Sequence, residues 1–420
     1  MYRGDWLVRL SALARDARNP LQWQVPPNVW GLGITSMLTD VSSEMVISIL
    51  PAYLVMTSGL APLALGIATG LHEGGPLLAA WAGGLMADRS ARRKLTAGAG
   101  YTVSALCRLG WLAFSGRTLP AVATLVLGDR IGKAIRTAPR DAVISLSVHP
   151  DQLSTAFGVH RALDAAGAAA GPVLAFVVLW QLPHRYDVVF FTSFIVALLG
   201  VLALALLVVE PGERRVGSRD MRLGAAEALA VFADRSVRRV LILAAAFGLV
   251  TIGDAFLYLL LVQRSAAGPE WIPLLYTGTA AAFLVLAIPV GYLADRIGRR
   301  RVFVLGHGFL VVSYVSAFSG ASAWPWNAIL CVAVLGAYSA ASDGVLASLA
   351  SGLLPIRARA LGLAWVATAV SVARLCSAVA FGFLWTRAGD RIAVLFFTAA
   401  LVAVICVAIP GQELDPSVTG

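Results

Sequence analysis

Four side chains in the first long apolar run, Ser36, Asp40, Glu44 and Ser48, recur at every fourth residue. In a helix that spacing lines them up along one face. Two carboxylates one turn apart can share a single proton, because neighbouring like charges disfavour double ionisation. A group charged in one state and neutral in another is what proton coupling requires. The other reading is permanent pairing of Asp40 or Glu44 with an arginine. Later apolar runs are also interrupted by ionisable residues: His72 with Glu73, Arg108, Arg130 with Lys133, the His160, Arg161 and Asp164 group, Asp254, Asp343 and Arg374. A charge at bilayer depth costs at least about 2.5–3.5 kcal/mol on insertion scales, so each needs a partner or a wet cavity. Arg108 and Arg130 are candidates to neutralise a carboxylate of the first run or to bind an anionic substrate. Asp164 can reach Arg161 or His160 on its own helix, as a gate or as an ordinary helix-end pair. His72 is either a cavity group or a neutral, hydrogen-bonded ring. Tyr338 and Trp365 can wall a cavity for an apolar or cationic solute.

Apolar runs long enough to span a bilayer must position these groups. The chain has 420 residues, 59% hydrophobic and 13% charged, about half the charge of a soluble domain. Twelve runs of membrane-spanning length are readable, over 29–54, 62–87, 95–115, 119–143, 153–182, 188–209, 238–262, 271–294, 302–321, 326–350, 358–386 and 391–410. The expected class is an all-α membrane protein. A polar stretch at 210–237 separates a first bundle, 29–209, from a second, 238–410. Residues 1–28 contain Trp6, Leu7, Leu10 and Leu13 on one side of a short amphipathic helix without a signal peptide, and 411–420 form a tail. With the N-terminus inside, 23 of the 33 Lys and Arg fall on the cytoplasmic side and 5 outside, Arg136 and Arg140 being counted inside. That asymmetry puts both termini in the cytoplasm. The net charge of +10 is thereby explained without nucleic acid. Cys107, Cys331, Cys376 and Cys406 lie far apart in apolar runs, which implies neither a disulfide framework nor a metal site. No HExxH or GxSxG motif is present, so no enzyme, catalytic residue or cofactor is expected. Without an appended soluble domain, a sensor or scaffold is disfavoured.

The two bundles are copies. GLMADRSARRK runs from Gly84 to Lys94 and GYLADRIGRRR from Gly291 to Arg301, which puts Asp88 and Asp295 207 positions apart. VLGDR at 126–130 and VLGAY at 334–338 repeat at an offset of 208, placing Tyr338 opposite Arg130; Asp254 roughly mirrors Asp40. These strings resemble the loop signature G-x-L-a-D-R-x-G-R-R of the major facilitator superfamily. The second copy matches throughout, while the first carries Met86 and Ala91 at two of its positions. Gly167, Gly171 and Pro172 resemble the first part of the helix 5 motif of the superfamily's drug/proton antiporters. TDVSSEM (39–45), RIGKAIRTAPRDA (130–142) and FGVHRALDAAG (157–167) resemble a bacterial subgroup described mostly just as transporters.

The resemblance implies two pseudo-symmetric six-helix bundles that rock around a midplane site. The candidates for proton coupling are Asp40, Glu44, Glu73 and Arg130, where the resemblance supports the helix 1 acids and Arg130; those for the substrate cavity are Ser36, Arg108, Asp254, Tyr338, Asp343, Trp365 and Arg374. Gating falls to Asp88, Arg89, Arg92, Arg161, Asp164, Asp295 and Arg296. The implied activity is proton-coupled efflux of a small molecule by a monomer in a bacterial inner membrane, with proton symport of an organic solute as the alternative. A reporter fused after Gly420 tests the topology: green fluorescent protein is expected to fluoresce there and alkaline phosphatase to stay inactive. The reverse pattern contradicts the orientation.

Overall fold

The computed structural model describes residues 25–75, 92–114, 118–210, 235–318, 324–354 and 359–409. The described chain is helical: α1 Pro27–Pro51, α2 Pro62–Glu73, α3 Arg93–Phe114, α4 Leu119–Ser147, α5 Leu153–Gln181, α6 Tyr186–Leu207, α7a Arg235–Val250, α7b Asp254–Gln263, α8 Ile272–Ile297, α9 Arg299–Phe318, α10 Trp326–Leu353, α11 Arg359–Ala388 and α12 Asp390–Ala408. With α7a and α7b as one broken span, these are twelve membrane helices. Pro27, Pro62 and Pro120 each sit in a helix's first turn, where a missing N–H costs nothing. Pro51, without an N–H to donate, is followed by a π-helical turn, Ala52–Thr57, that finishes α1. Gly298, the glycine of the second loop signature, has φ 102° and its N–H bonds to the Ala294 carbonyl, ending α8 one residue before α9.

Apolar faces turn outward. Leu206 on α6, Val315 on α9 and Val407 on α12 are 72%, 63% and 81% exposed, a surface suited to lipid and not to water. Among the described residues nine helices are long and apolar enough to cross a membrane. The others are α2, which is 12 residues long, and α3 and α4, which carry buried charges.

Packing repeats between halves. In the first half α1 packs on α5 and α6, α3 on α4 and α6, and α2 on α4; in the second α7 packs on α11 and α12, α9 on α10 and α12, and α8 on α10. The halves meet through α2 with α11 and α5 with α8, the same pair under a twofold exchange. Small residues permit the first contact. A Cβ on Gly66 would lie 2.4 Å from the Ala378 carbonyl oxygen, and one on Gly382 2.8 Å from that of Pro62. The Leu63 N–H donates to Thr386 Oγ1 at 3.0 Å. Phe176 and Trp180 of α5 close on Trp271, just before α8, at 5.4 and 5.9 Å between ring centroids. These contacts lie at the end carrying the α1–α2, α5–α6, α7–α8 and α11–α12 turns. Toward the other end Arg161, Ala162, Ala165 and Ala166 of α5 and Leu284, Val285 and Ile288 of α8 are exposed, so the described halves splay there.

One span departs from expectation. The single helix expected at 238–262 is broken at Thr251–Ile252–Gly253. Its backbone is satisfied from neighbours: the Ile252 N–H donates to Tyr314 Oη at 2.8 Å, and Ser377 Oγ donates to the Thr251 carbonyl at 2.6 Å. Broken helices survive at membrane depth where the freed groups find partners beside a cavity.

The closed end generates a prediction. Cysteines replacing Leu63 and Thr386 are expected to cross-link under mild oxidation. Adding Gly66→Val, which forces a branched side chain onto backbone, costs about 1–3 kcal/mol of overpacking and is expected to suppress the cross-link. Undiminished cross-linking contradicts the interface.

Candidate functional site

The break in α7 opens onto a cavity of about 270 Å³ shared by both halves. Its wall carries Glu44 of α1, His72 and Glu73 of α2, Asp254 at the start of α7b, Tyr276 of α8, Tyr338 and Asp343 of α10, and Arg374 of α11. Among the described residues Arg374 is the one arginine or lysine in that wall. Its Nη1 lies 3.7 Å from Glu73 and its Nη2 3.4 Å from Asp343, so it ties a carboxylate of each half to the same guanidinium. Glu44 and Asp254 make no ion pair with any described residue. They present two untied carboxylates, one from each half, to the same space. The shape follows from local sequence: the four-residue spacing aims Glu44 inward, and the chain runs extended through Gly253 before Asp254 opens a new helix at the cavity.

A second block of charge lies within the first half. Asp129 of α4 accepts from Arg108 Nη2 of α3 at 2.8 Å and from Arg130 Nη2 at 2.6 Å. Arg108 Nη2 also donates to Ser43 Oγ of α1 at 2.7 Å. All three charged residues are buried. Arg108 and Arg130 are thus committed to Asp129 and not to the α1 carboxylates. Sequence reasoning misses Asp129, although an acid immediately before Arg130 in an apolar run is an available signal.

Asp40 is held more loosely, with Lys133 Nζ at 4.0 Å and Arg136 Nη2 at 3.8 Å. Arg136 is 2% exposed, donates to Ser104 Oγ at 2.9 Å and lies over the Tyr101 ring at 4.7 Å. Counting Arg136 as a surface anchor of the cytoplasmic side is therefore mistaken: α4 runs on to Ser147 and carries the arginine inside the bundle. Gly100 and Gly132 make room, since a Cβ on Gly132 would sit 2.7 Å from the Gly100 carbonyl. The α5 motif has a comparable role. A Cβ on Gly167 would lie 2.4 Å from the Met37 carbonyl oxygen, and one on Gly171 2.6 Å from that of Val41 and 2.8 Å from Glu44 Cβ. Gly171, followed by Pro172 in the same helix, thus backs directly onto Glu44.

The remaining candidates scatter. Ser36 is buried and bonded to Tyr101 Oη at 3.1 Å. Trp365 is 44% exposed on α11 and does not line the cavity. In its place Tyr276 joins Tyr338, because α8 rather than this part of α11 closes the wall. Arg161 is exposed, and the cation beside Asp164 is Arg140 of α4, at 3.9 Å. Asp88 and Arg89 lie outside the described residues, and Arg92 is exposed. Asp295 pairs with Arg299 at 3.0 Å, while Arg296 covers the Tyr292 ring at 4.3 Å. Arg299 also reaches the Ser348 carbonyl at 3.3 Å, a link from the repeated loop to α10 that sequence does not suggest. His307 escapes sequence reasoning too; its Nδ1 bonds the Phe303 carbonyl at 2.8 Å and its ring stands 5.0 Å from Tyr338. Among the described residues no group of His, Cys, Asp and Glu could hold a metal ion.

A sequence profile described as Major Facilitator Superfamily matches residues 32–269 and 255–414. An uncharacterised MFS-type transporter of Methanocaldococcus jannaschii is 30% identical over 378 residues, 86% of this chain and 89% of that protein. Among solved structures, a nucleoside transporter, NupG, superposes with a TM-score of 0.75 at 13% identity, covering 92% of this chain and 99% of that one. A bacterial homologue of the human lysosomal transporter Spinster, in an inward-facing, unoccupied conformation, does so with 0.67 at 14% identity, over 93% and 95%.

The two classes of carboxylate respond differently to neutralisation. Asp129→Asn strips the shared partner from two buried arginines and is expected to cost about 3–5 kcal/mol, read as a large drop in thermal stability. Glu44→Gln removes no ion pair and is expected to leave stability nearly unchanged. Equal losses would contradict the distinction.

Proposed function

This chain belongs to the Major Facilitator Superfamily, and from that premise we propose that it is a proton-coupled exporter working by alternating access. The observation carrying the proposal is the pair Glu44 and Asp254: two carboxylates without ion-pair partners among the described residues, one from each half, facing a common cavity. A charge left untied at this depth is costly, and a proton relieves the cost. Substrate and proton then compete for the same groups, and the halves exchange which end is open. With both termini in the cytoplasm, as the charge asymmetry argues, the splayed end faces inward. Substrate enters there as the proton leaves, the halves rock about the α2–α11 and α5–α8 contacts, and a proton from outside displaces the substrate. The outward direction is supported by the α5 motif, whose Gly171 packs on Glu44 itself. One chain carries the whole cavity, so a monomer suffices, and the bacterial inner membrane supplies the proton gradient.

Everted vesicles containing the protein test this even while the cargo is unidentified. After respiration acidifies the lumen, organic solutes are added one at a time while acridine orange reports the gradient. At least one solute is expected to dequench the dye with the wild-type chain and to leave it quenched with Glu44→Gln. A transported solute that dissipates no gradient, or dequenching that survives in both Glu44→Gln and Asp254→Asn, contradicts proton antiport.

A further inference from the structure

The first half holds a third charged group, separate from the cavity and from the Asp129 block. On α5, His160 is 1% exposed and, among the described residues, neither ring nitrogen has a hydrogen-bond partner; the Asp164 Oδ1 beside it likewise has none. Asp164 Oδ2 lies 3.6 Å from His160 Nε2 and 3.9 Å from Arg140 Nη1. A buried polar group left unsatisfied destabilises the fold. A histidine kept for packing avoids that cost, as His307 does with its 2.8 Å bond to a backbone carbonyl. Three unsatisfied atoms side by side therefore mark a place that exchanges protons instead of one that braces the fold.

The surroundings give this group a route inward. Arg140 Nη1 donates to Ser36 Oγ at 3.3 Å, and Ser36 begins the α1 row that continues through Asp40 to Glu44. Each step along that row is one helical turn, about 6 Å, a distance a single water spans. The contacts are loose throughout: 3.6–4.0 Å around Asp40 and Asp164 against 2.6–2.8 Å around Asp129. Loose pairing lets a carboxylate gain and lose a proton without breaking a rigid bond. The Asp164 side chain is 27% exposed and lies on the splayed part of α5.

We propose that Asp164 and His160 form the inner proton-exchange station of the coupling pathway, passing the proton between the splayed end and Glu44 by way of Asp40. This rests on the proton-coupled reading above. A proton leaving Glu44 passes to the Asp40 carboxylate through water and then to Asp164. It is shared there with the His160 imidazole and released to bulk water, each group returning to its starting charge. Only O–H and N–H bonds form and break. The charged groups facing the station are Asp40 from α1, Lys133, Arg136, Arg140 and Asp141 from α4, and Arg161 from α5, with the Tyr101 hydroxyl from α3. The nearest cation, Arg140, is shared with Asp141 at 2.9 Å, so Asp164 does not hold it alone.

The test uses the full chain in lipid nanodiscs, with a fluorophore pair on cysteines replacing Leu182 and Ala266 at the closed end and the native cysteines removed. An acid jump is expected to shift the energy transfer of the wild-type chain. In Asp164→Asn and in His160→Gln the shift is expected to reach the same amplitude but about 100-fold more slowly, the usual worth of a positioned proton-transfer group. Imidazole in the buffer is expected to restore the rate of His160→Gln, and Asp164→Glu to remain fast. Wild-type rates in both slow-class variants overturn the proposal. Slowing that imidazole does not relieve also overturns it, since that is the mark of a purely structural role. Should Asp164→Asn fail to fold, His160→Gln with and without imidazole decides alone. Glu44→Gln separates the two ideas: if that variant still shifts with acid, the proton-coupled reading falls, whatever the station does.

Discussion

An ionised side chain inside a bilayer needs either a partner or water, and the placement of the charges within the described helices of the first half and the cavity follows from that constraint. Asp129 takes the first solution, caught between Arg108 and Arg130 at 2.8 and 2.6 Å. Glu44 and Asp254 take the second, facing a cavity built where two halves of the chain fail to touch. Asp40 and Asp164 stand between, with cations near enough to steady them and too far to immobilise them. Pairing strength thus sorts carboxylates of identical chemistry into those bound tightly within the first half and those left loosely held or untied.

The cavity exists because backbone is spent to make it. The Thr251–Gly253 break gives up helix hydrogen bonds, and Tyr314 and Ser377 replace them from α9 and α11. Glycine does the converse elsewhere, drawing α2 onto α11 and α5 onto α1 until backbones touch. Tight contacts at one end and a splayed opposite end leave a volume that neither half encloses alone. Arg374, lying between Glu73 and Asp343, ties the halves at the cavity while the glycine contacts close the end beyond it.

Much of this is legible in the residue order. Hydropathy locates the twelve spans, and the Asp88 and Asp295 repeat announces the duplication that the packing displays. A four-residue period is enough to set Ser36, Asp40 and Glu44 on one face. What cannot be read are relations between helices. Nothing local says that Arg108 and Arg130 converge on Asp129, that Arg140 rather than Arg161 reaches Asp164, or that Trp365 turns away from the cavity. The α7 break is hidden for another reason: Thr251 and Ile252 are apolar enough to pass in a hydropathy window, and only Gly253 followed by Asp254 hints at a helix start. Arg136 is misplaced because a charge count sees sequence position and not the burial that Gly100 and Gly132 permit.

Water access to the untied carboxylates is the most direct test of this account. Glu44→Cys and Asp254→Cys are each exposed, in a background without native cysteines, to a charged thiosulfonate that cannot cross the membrane, with Ser42→Cys, fully buried on another side of α1, as the reference. The account predicts rapid labelling at positions 44 and 254 from the splayed end and none at 42. Protection of 44 and 254 equal to that of 42 would contradict it.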